Sequence, residues 1–163
     1  MSVAVRLAGA EDLELVRALF TEYATAPHDE MLFQSYLADQ RFDREVAELP
    51  GSYAPPLGAL LIAEHAGIAI GCVGLKPLEP PNVCEMKRLY VRPEGRGLGA
   101  GHALVDHVLR AAHDAGYQVM RLDTMPSMHD AQKLYRAIGF HEIPAYNANP
   151  VAGALFFEFT LAP

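Results

Sequence analysis

Apolar positions along this chain recur with a period near 3.6 in some segments and near 2 in others, and the changes of period outline its elements. Val3 to Leu7 alternates as a short strand. From Asp12 onward Leu13, Val16, Phe20 and Tyr23 fall at helical spacing, and Pro27 marks the end of that helix. A second helical pattern runs from Phe33 to Leu49 through Tyr36, Leu37, Phe42 and Val46, until Pro50-Gly51 stops it. After Pro55-Pro56 the period shortens. Leu57 to Glu64, Ile68 to Leu75 and Val83 to Val91 read as an antiparallel meander, separated by His65-Ala66-Gly67 and by the proline-rich Pro77 to Pro81.

In the second half Leu104, Val105, Val108, Ala112 and Ala115 form one helical face and His102, Asp106, Arg110 and His113 the other, with Gly116 ending the helix. Val119 to Thr124 is a strand. Met128 to Ile138 is a helix whose apolar stripe is Ala131, Leu134, Tyr135 and Ile138, closed by Gly139 at C′. Phe140 to Ile143 and the phenylalanine-rich Ala154 to Leu161 add two final strands. The order β-α-α-β-β-β-α-β-α followed by strands predicts an α/β fold.

Composition narrows the function. A length of 163 residues fits a single domain spanning 1–163 with an adequate core. The formal net charge of −7 argues against nucleic acid as a partner, since a basic face is needed to neutralise phosphates. Basic residues cluster only locally, at Lys87, Arg88, Arg92 and Arg96. Cys72 and Cys84 lie in apolar runs without C-x-x-C spacing and read as core residues suited to a reducing cytoplasm. Arg6, Glu11, Asp12 and Glu14 interrupt any secretory pattern, and no apolar run approaches membrane-spanning length, so a soluble protein with no membrane association is expected. The histidines show no metal-ligand spacing and no metal is expected. Self-association into a homodimer stays open.

The chemistry concentrates at Glu85-Met86-Lys87-Arg88-Leu89-Tyr90-Val91-Arg92-Pro93-Glu94-Gly95-Arg96-Gly97-Leu98-Gly99-Ala100-Gly101, a strand, a basic turn, and four alternating glycines before a helix. Such glycines leave backbone N–H groups uncovered at a helix N-terminus, where the macrodipole favours an anion such as pyrophosphate. A P-loop is ruled out because no lysine follows the glycines. Gly95-Arg96-Gly97-Leu98-Gly99-Ala100 satisfies the dinucleotide fingerprint G-x-G-x-x-[GA], with Asp123 ending the next strand. Against a dinucleotide fold, Arg92-Pro93-Glu94 separate the strand from the glycines and the preceding strands look antiparallel.

Arg96-Gly97-Leu98-Gly99-Ala100-Gly101 resembles the [QR]-x-x-G-x-[GA] motif of the GNAT superfamily of acyl-CoA-dependent N-acetyltransferases, and Ala131-Gln132-Lys133-Leu134-Tyr135-Arg136-Ala137-Ile138-Gly139-Phe140 resembles that family's A-x-x-L-Y-x-x-x-G-F helix. The strand Cys84-Glu85-Met86-Lys87-Arg88-Leu89-Tyr90-Val91 is similar to a subgroup of these enzymes. The resemblance implies a mixed, splayed central sheet flanked by helices, and acetyl-CoA as co-substrate without a metal. It implies a cofactor site formed by Leu89, Tyr90 and Val91, along which pantetheine pairs like an added strand, and by Arg96, Gly97, Leu98, Gly99, Ala100 and Gly101 around the pyrophosphate. Arg92 is a further candidate anion contact.

Acetyl transfer to an amine requires loss of an ammonium proton of pKa about 10 and stabilisation of a leaving thiolate of pKa about 8.5. The resemblance gives Tyr135 the second task, as donor to the sulfur, although spacing alone would equally describe a core tyrosine. Glu85 is the candidate base, with an ion pair to Lys87 on the same strand face as its alternative. The family's usual asparagine near the start of the tyrosine helix is absent, and Ser127-Met128-His129 stands there instead. The acceptor, a small-molecule or peptide amine, would meet Tyr23, His28, Tyr36, Tyr146 and Asn149. A non-catalytic acyl-CoA sensor is the competing reading.

Overall fold

The computed structural model describes residues 2–26 and 30–163, with the side chains of 30–32 left aside. Its elements follow the order β1 (Val3–Leu7), α1 (Leu13–Thr25), α2 (Glu30–Asp39), α3 (Phe42–Ala47), β2 (Ala59–His65), β3 (Ile68–Pro77), β4 (Val83–Val91), α4 (Ala100–Asp114), β5 (Val119–Thr124), α5 (His129–Ile138), β6 (His141–Ile143) and β7 (Leu155–Thr160). Pro27, expected to end the first helix, lies outside the described residues, and α1 stops at Thr25.

A seven-stranded sheet in the order β1-β2-β3-β4-β5-β7-β6 carries helices on both faces, and every neighbouring pair is antiparallel except β4 and β5. This order excludes the dinucleotide-binding alternative, which needs a parallel sheet. Strand alternation sorts the side chains between the two faces. Leu61, Val73, Cys84, Met86, Leu122 and Phe157 pack with Leu104, Val105 and Val108 of α4 on one face. Leu60, Ile62 and Cys72 pack with Val16, Leu19, Phe20 and Phe33 on the other. The β2–β3 hairpin closes at His65 and Ile68 through Ala66 and Gly67, both at positive φ, as a tight two-residue turn requires.

In place of the single helix expected over 33–49, the chain forms α2 and α3. Arg41 between them adopts a left-handed φ of 52°, which breaks the ladder yet returns Phe42 to the buried side.

Two departures from regularity shape the functional region. β4 and β5 pair only over Val83, Cys84 and Glu85 against Val119, Met120 and Arg121, so that 86–91 and 122–124 diverge and leave a wedge in the sheet. On its other edge β4 bulges. Between Gly74↔Lys87 and Cys72↔Tyr90 it has one residue more than β3, and Arg88 takes up the excess at φ 61°. The bulge changes the phase of the strand: Cys84 and Met86, then Leu89 and Val91, associate with the α4 side, while Arg88 and Tyr90 join Cys72 on the α1–α3 side.

Candidate active site

The glycine run forms the first part of the site. After a short 3₁₀ turn at Pro93–Gly95 the chain passes Gly97 and Gly99, both at φ 79°, and enters α4 at Ala100. Left-handed backbone is what selects glycine there. A Cβ at either position would meet nothing within 4 Å, so the space in front of this turn is open. Among the described residues no side chain caps α4, and the amides of 97–102 donate no backbone hydrogen bond, the first ladder bond being Ala103 N–H to the Gly99 carbonyl. An unshielded row of donors at a helix N-terminus is an anion site. Leu98 and Arg96 are exposed beside it. Gly101 has a packing role: a Cβ would stand 3.3 Å from Leu134 Cδ2, where α5 meets the start of α4.

Arg92 does not face this nest. Its guanidinium holds Glu22 through Nε at 2.9 Å and Nη2 at 2.7 Å and the Ala69 carbonyl through Nη1 at 2.9 Å, so the expected anion contact is committed to fastening α1 to the end of β4. Leu89 and Val91 are half-buried against the α4-side core, and Tyr90 lies on the opposite face with its hydroxyl 3.3 Å from Glu22 Oε1.

The wedge forms the second part. Tyr135 of α5 is 6% exposed, its ring tilted between Phe140 and Phe157. Among the described residues its hydroxyl makes no hydrogen bond, and it is not sealed from solvent either. Burial pushes this phenol well above the usual tyrosine range, and Tyr23 and Asp123 add to the effect. It is therefore protonated at neutral pH.

Glu85 sits at the apex of the wedge, 4% exposed. Tyr146 donates to its Oε2 at 2.5 Å, and Lys87 Nζ lies 3.7 Å from its Oε1, so the ion pair weighed as an alternative exists alongside any other role. Tyr36 spans the wedge, donating to Asp123 Oδ1 at 3.0 Å and accepting from Lys87 Nζ at 3.3 Å, while Lys87 also reaches Gln40. Burial lowers the Lys87 pKa, and Glu85 works against that shift. Asn147 and Asn149 donate to Asp123 Oδ2 at 3.0 and 3.1 Å. Tyr23 is buried between Phe33 and Tyr90, with the Arg88 guanidinium 5.8 Å from its ring.

The structure thus gathers Glu85, Tyr36, Tyr146 and Asn149 into one cluster through Lys87 and Asp123, with Tyr23 beside it and Tyr135 packed against Phe157 on the α4 side. His28 lies outside the described residues. His129 is exposed at the start of α5, and beside it Thr124 Oγ1 donates to Met128 Sδ at 3.6 Å. Cys84 is buried on the face opposite Glu85. Asp123 and Asn147 join the site without having been expected there, and Lys87 enters it as the ion-pair partner weighed for Glu85. The signal for Asp123 is its alternation with Arg121 opposite the apolar Met120 and Leu122.

The chain matches the family model of the acetyltransferase (GNAT) family over residues 14–140. It is 39% identical over 141 residues to an uncharacterised N-acetyltransferase of Schizosaccharomyces pombe, covering 81% of this chain and 86% of that one. Among solved structures it is similar to an acetyltransferase of the GNAT family from Staphylococcus aureus, with a TM-score of 0.74, 17% identity and coverage of 99% and 100% of the two chains. It is also similar to the PaiA N-acetyltransferase of Thermoplasma acidophilum in complex with coenzyme A, with a TM-score of 0.71, 21% identity and coverage of 98% and 99%. With the parted sheet, the open glycine turn and these matches in agreement, the chain belongs to the acetyltransferase (GNAT) family and is an N-acetyltransferase.

Proposed function

We propose that the protein transfers an acetyl group from acetyl-CoA to a primary amine of a small-molecule or peptide acceptor by direct attack. Acetyl-CoA would supply the acetyl group as an activated thioester. The residues present suit it: unpaired amides at 97–102 for the pyrophosphate and an unpaired edge of β4 along Leu89–Val91 for the pantetheine arm. The observation that carries the reading is Tyr135, a nearly buried phenol packed against Phe157 of β7 with no hydrogen-bond partner among the described residues.

Glu85 accepts the acceptor's proton through Tyr146, whose hydroxyl already donates to it. The neutral nitrogen then forms the C–N bond as the C–S bond breaks. Tyr135 meets the leaving sulfur as a hydrogen-bond donor. Its raised pKa lies above the roughly 8.5 of a thiol, so it stabilises the thiolate by donation and need not surrender its proton outright.

Thiol release from acetyl-CoA, measured against a panel of primary amines, tests this. Tyr135→Phe is expected to lower kcat about 100-fold with little change in the KM for acetyl-CoA. Because the hydroxyl has no partner among the described residues, the substitution leaves nothing unsatisfied, and the melting temperature should hold. Undiminished turnover in Tyr135→Phe would remove the tyrosine from the mechanism. Tight coenzyme A binding without thiol release for any amine would favour the sensor.

A further inference from the structure

We infer that Asp123 is a positioning residue for the transfer: it fixes the segment that carries Tyr146, so that the Tyr146 hydroxyl is held on Glu85 and the acceptor's proton has a set path to the base. This deepens the proposed function, in which Glu85 is reached through Tyr146, and rests on it.

Tyr146 lies between β6 and β7 on a stretch without regular structure. Among the described residues, positions 144–150 make no backbone–backbone hydrogen bond, so side chains have to hold them. Asn147 and Asn149 do so in the same way. Each donates its Nδ2 to Asp123 Oδ2, at 3.0 and 3.1 Å. Each also turns its Oδ1 to the amide two residues on, Asn147 accepting from Asn149 N–H at 3.0 Å and Asn149 from Val151 N–H at 2.9 Å. The side-chain oxygens thus shape the backbone as successive Asx turns, and the side-chain nitrogens tie those turns to one carboxylate oxygen.

The other oxygen, Oδ1, accepts from Tyr36 of α2 at 3.0 Å, which closes a circuit. Tyr36 accepts from Lys87 Nζ at 3.3 Å, Lys87 stands 3.7 Å from Glu85 Oε1, and Tyr146, next in the chain to Asn147, donates to Glu85 Oε2 at 2.5 Å. With three donors aimed at it Asp123 serves only as an acceptor, so Tyr36 spends its one proton there and offers Lys87 a lone pair.

Other groups face this circuit. Lys76 on β3 and Arg121 on β5 stand in register with Glu85. Arg121 pairs with Glu158 and lies over the Tyr146 ring at 5.7 Å, and Phe156 meets that ring edge-on at 5.5 Å. Those contacts grip the ring, whereas Asp123 grips the chain on which the ring is mounted. A shift of Tyr146 by about 1 Å would break its bond to Glu85 and cost on the order of 100-fold in rate.

In the intact protein Asp123→Asn keeps the side chain's shape but turns an amide donor either to Tyr36 or to the two asparagines, and loses a bond in each orientation. Thiol release from acetyl-CoA, with phenethylamine, spermidine and an alanyl peptide as acceptors, should fall about 10- to 100-fold in kcat while the KM for acetyl-CoA holds. Tyr146→Phe should show a comparable fall. Adding Asp123→Asn to it should cost less than about threefold more, since a residue that acts through Tyr146 then has nothing left to position. An undiminished kcat in Asp123→Asn, or losses that multiply in the double variant, would overturn the inference. Hydrogen exchange reads the positioning without turnover: the amides of Asn149 and Val151 should exchange about tenfold faster in Asp123→Asn, and rates equal to those of the wild type would also overturn it. Asn147→Ala with Asn149→Ala cuts the same bonds from the other side with β5 unaltered, should reproduce the fall in kcat, and decides in its place if Asp123→Asn does not fold. Faster exchange in the variant with no thiol release from the wild type would count against the proposed function alone.

Discussion

Arg88 donates from Nε and Nη2 to the two carboxylate oxygens of Glu45, at 2.9 and 3.0 Å, and so ties α3 to the bulged point of β4. The arginine side chain is fully buried, stacked over Phe42 at 5.0 Å, and among the described residues its Nη1 has no hydrogen-bond partner. Tyr53 adds a third bond to the same carboxylate at 3.0 Å. The pair fixes the floor of the cleft, since Arg88 also lies under Tyr23 and Tyr36.

Glu45→Gln would leave a guanidinium charge buried without its counter-ion. Loss of one partner from such a pair costs about 3–5 kcal/mol, or a fall of roughly 10 °C in melting temperature for a domain of this size. The double variant Glu45→Met with Arg88→Met removes both charges and should recover most of that loss. Thermal unfolding followed by circular dichroism distinguishes the cases. If the single variant melts like the wild type, the pair does not hold the cleft floor.

Gly99 and Gly116 provide a matched comparison across α4. Both have positive φ, 79° and 92°, and at neither would an added methyl group find an atom within 4 Å, but only Gly99 stands among the unpaired amides. Alanine at either site should cost about 1 kcal/mol through backbone strain alone, or roughly 2–4 °C. Under the proposed function, only Gly99→Ala should also raise the KM for acetyl-CoA, by about tenfold, as its methyl group crowds the anion nest. Equal KM values in the two variants would mean that the amides do not bind the cofactor.

How much of this is legible in the sequence depends on how local the cause is. Sustained periodicity locates β3, β5, α4 and α5 closely, because their apolar stripes answer to one packed face each. The break at Arg41 is invisible to periodicity. One left-handed residue turns the chain, and Phe42 and Val46 keep helical spacing on either reading. The bulge at Arg88 is hidden for a related reason: simple alternation carries Glu85 and Lys87 on to Leu89, whereas the extra residue sends Leu89 to the other face. Asp123 is readable as belonging to a polar face of β5. That this face opens on the cleft follows from the early end of β4–β5 pairing, a long-range event that no window of sequence contains.

Acid should unfold the protein through three carboxylates whose native pKa values are depressed. Arg6 hydrogen bonds, helped by the Gly9 amide, hold Asp12 at about 2. Arg92 lowers Glu22 by hydrogen bonding. Burial works to raise Glu45, but the Arg88 guanidinium and the Tyr53 hydroxyl outweigh it and leave it lowered. In the unfolded chain such groups titrate near about 4. A depressed native pKa means that the unfolded state binds protons first, so the stability these pairs contribute is complete above about pH 5 and drains away as pH falls below about 4. The melting temperature should accordingly be level between about pH 7 and 5 and decline steeply from about pH 4 toward 2. Asp12→Asn removes one of the three titrations, so its melting temperature should start lower at neutral pH and fall less steeply in acid. An acid slope identical to that of the wild type would show that Asp12 is not held below its unfolded pKa, and the Arg6–Asp12 pair would then lose its place among the contacts that fasten β1 to the start of α1.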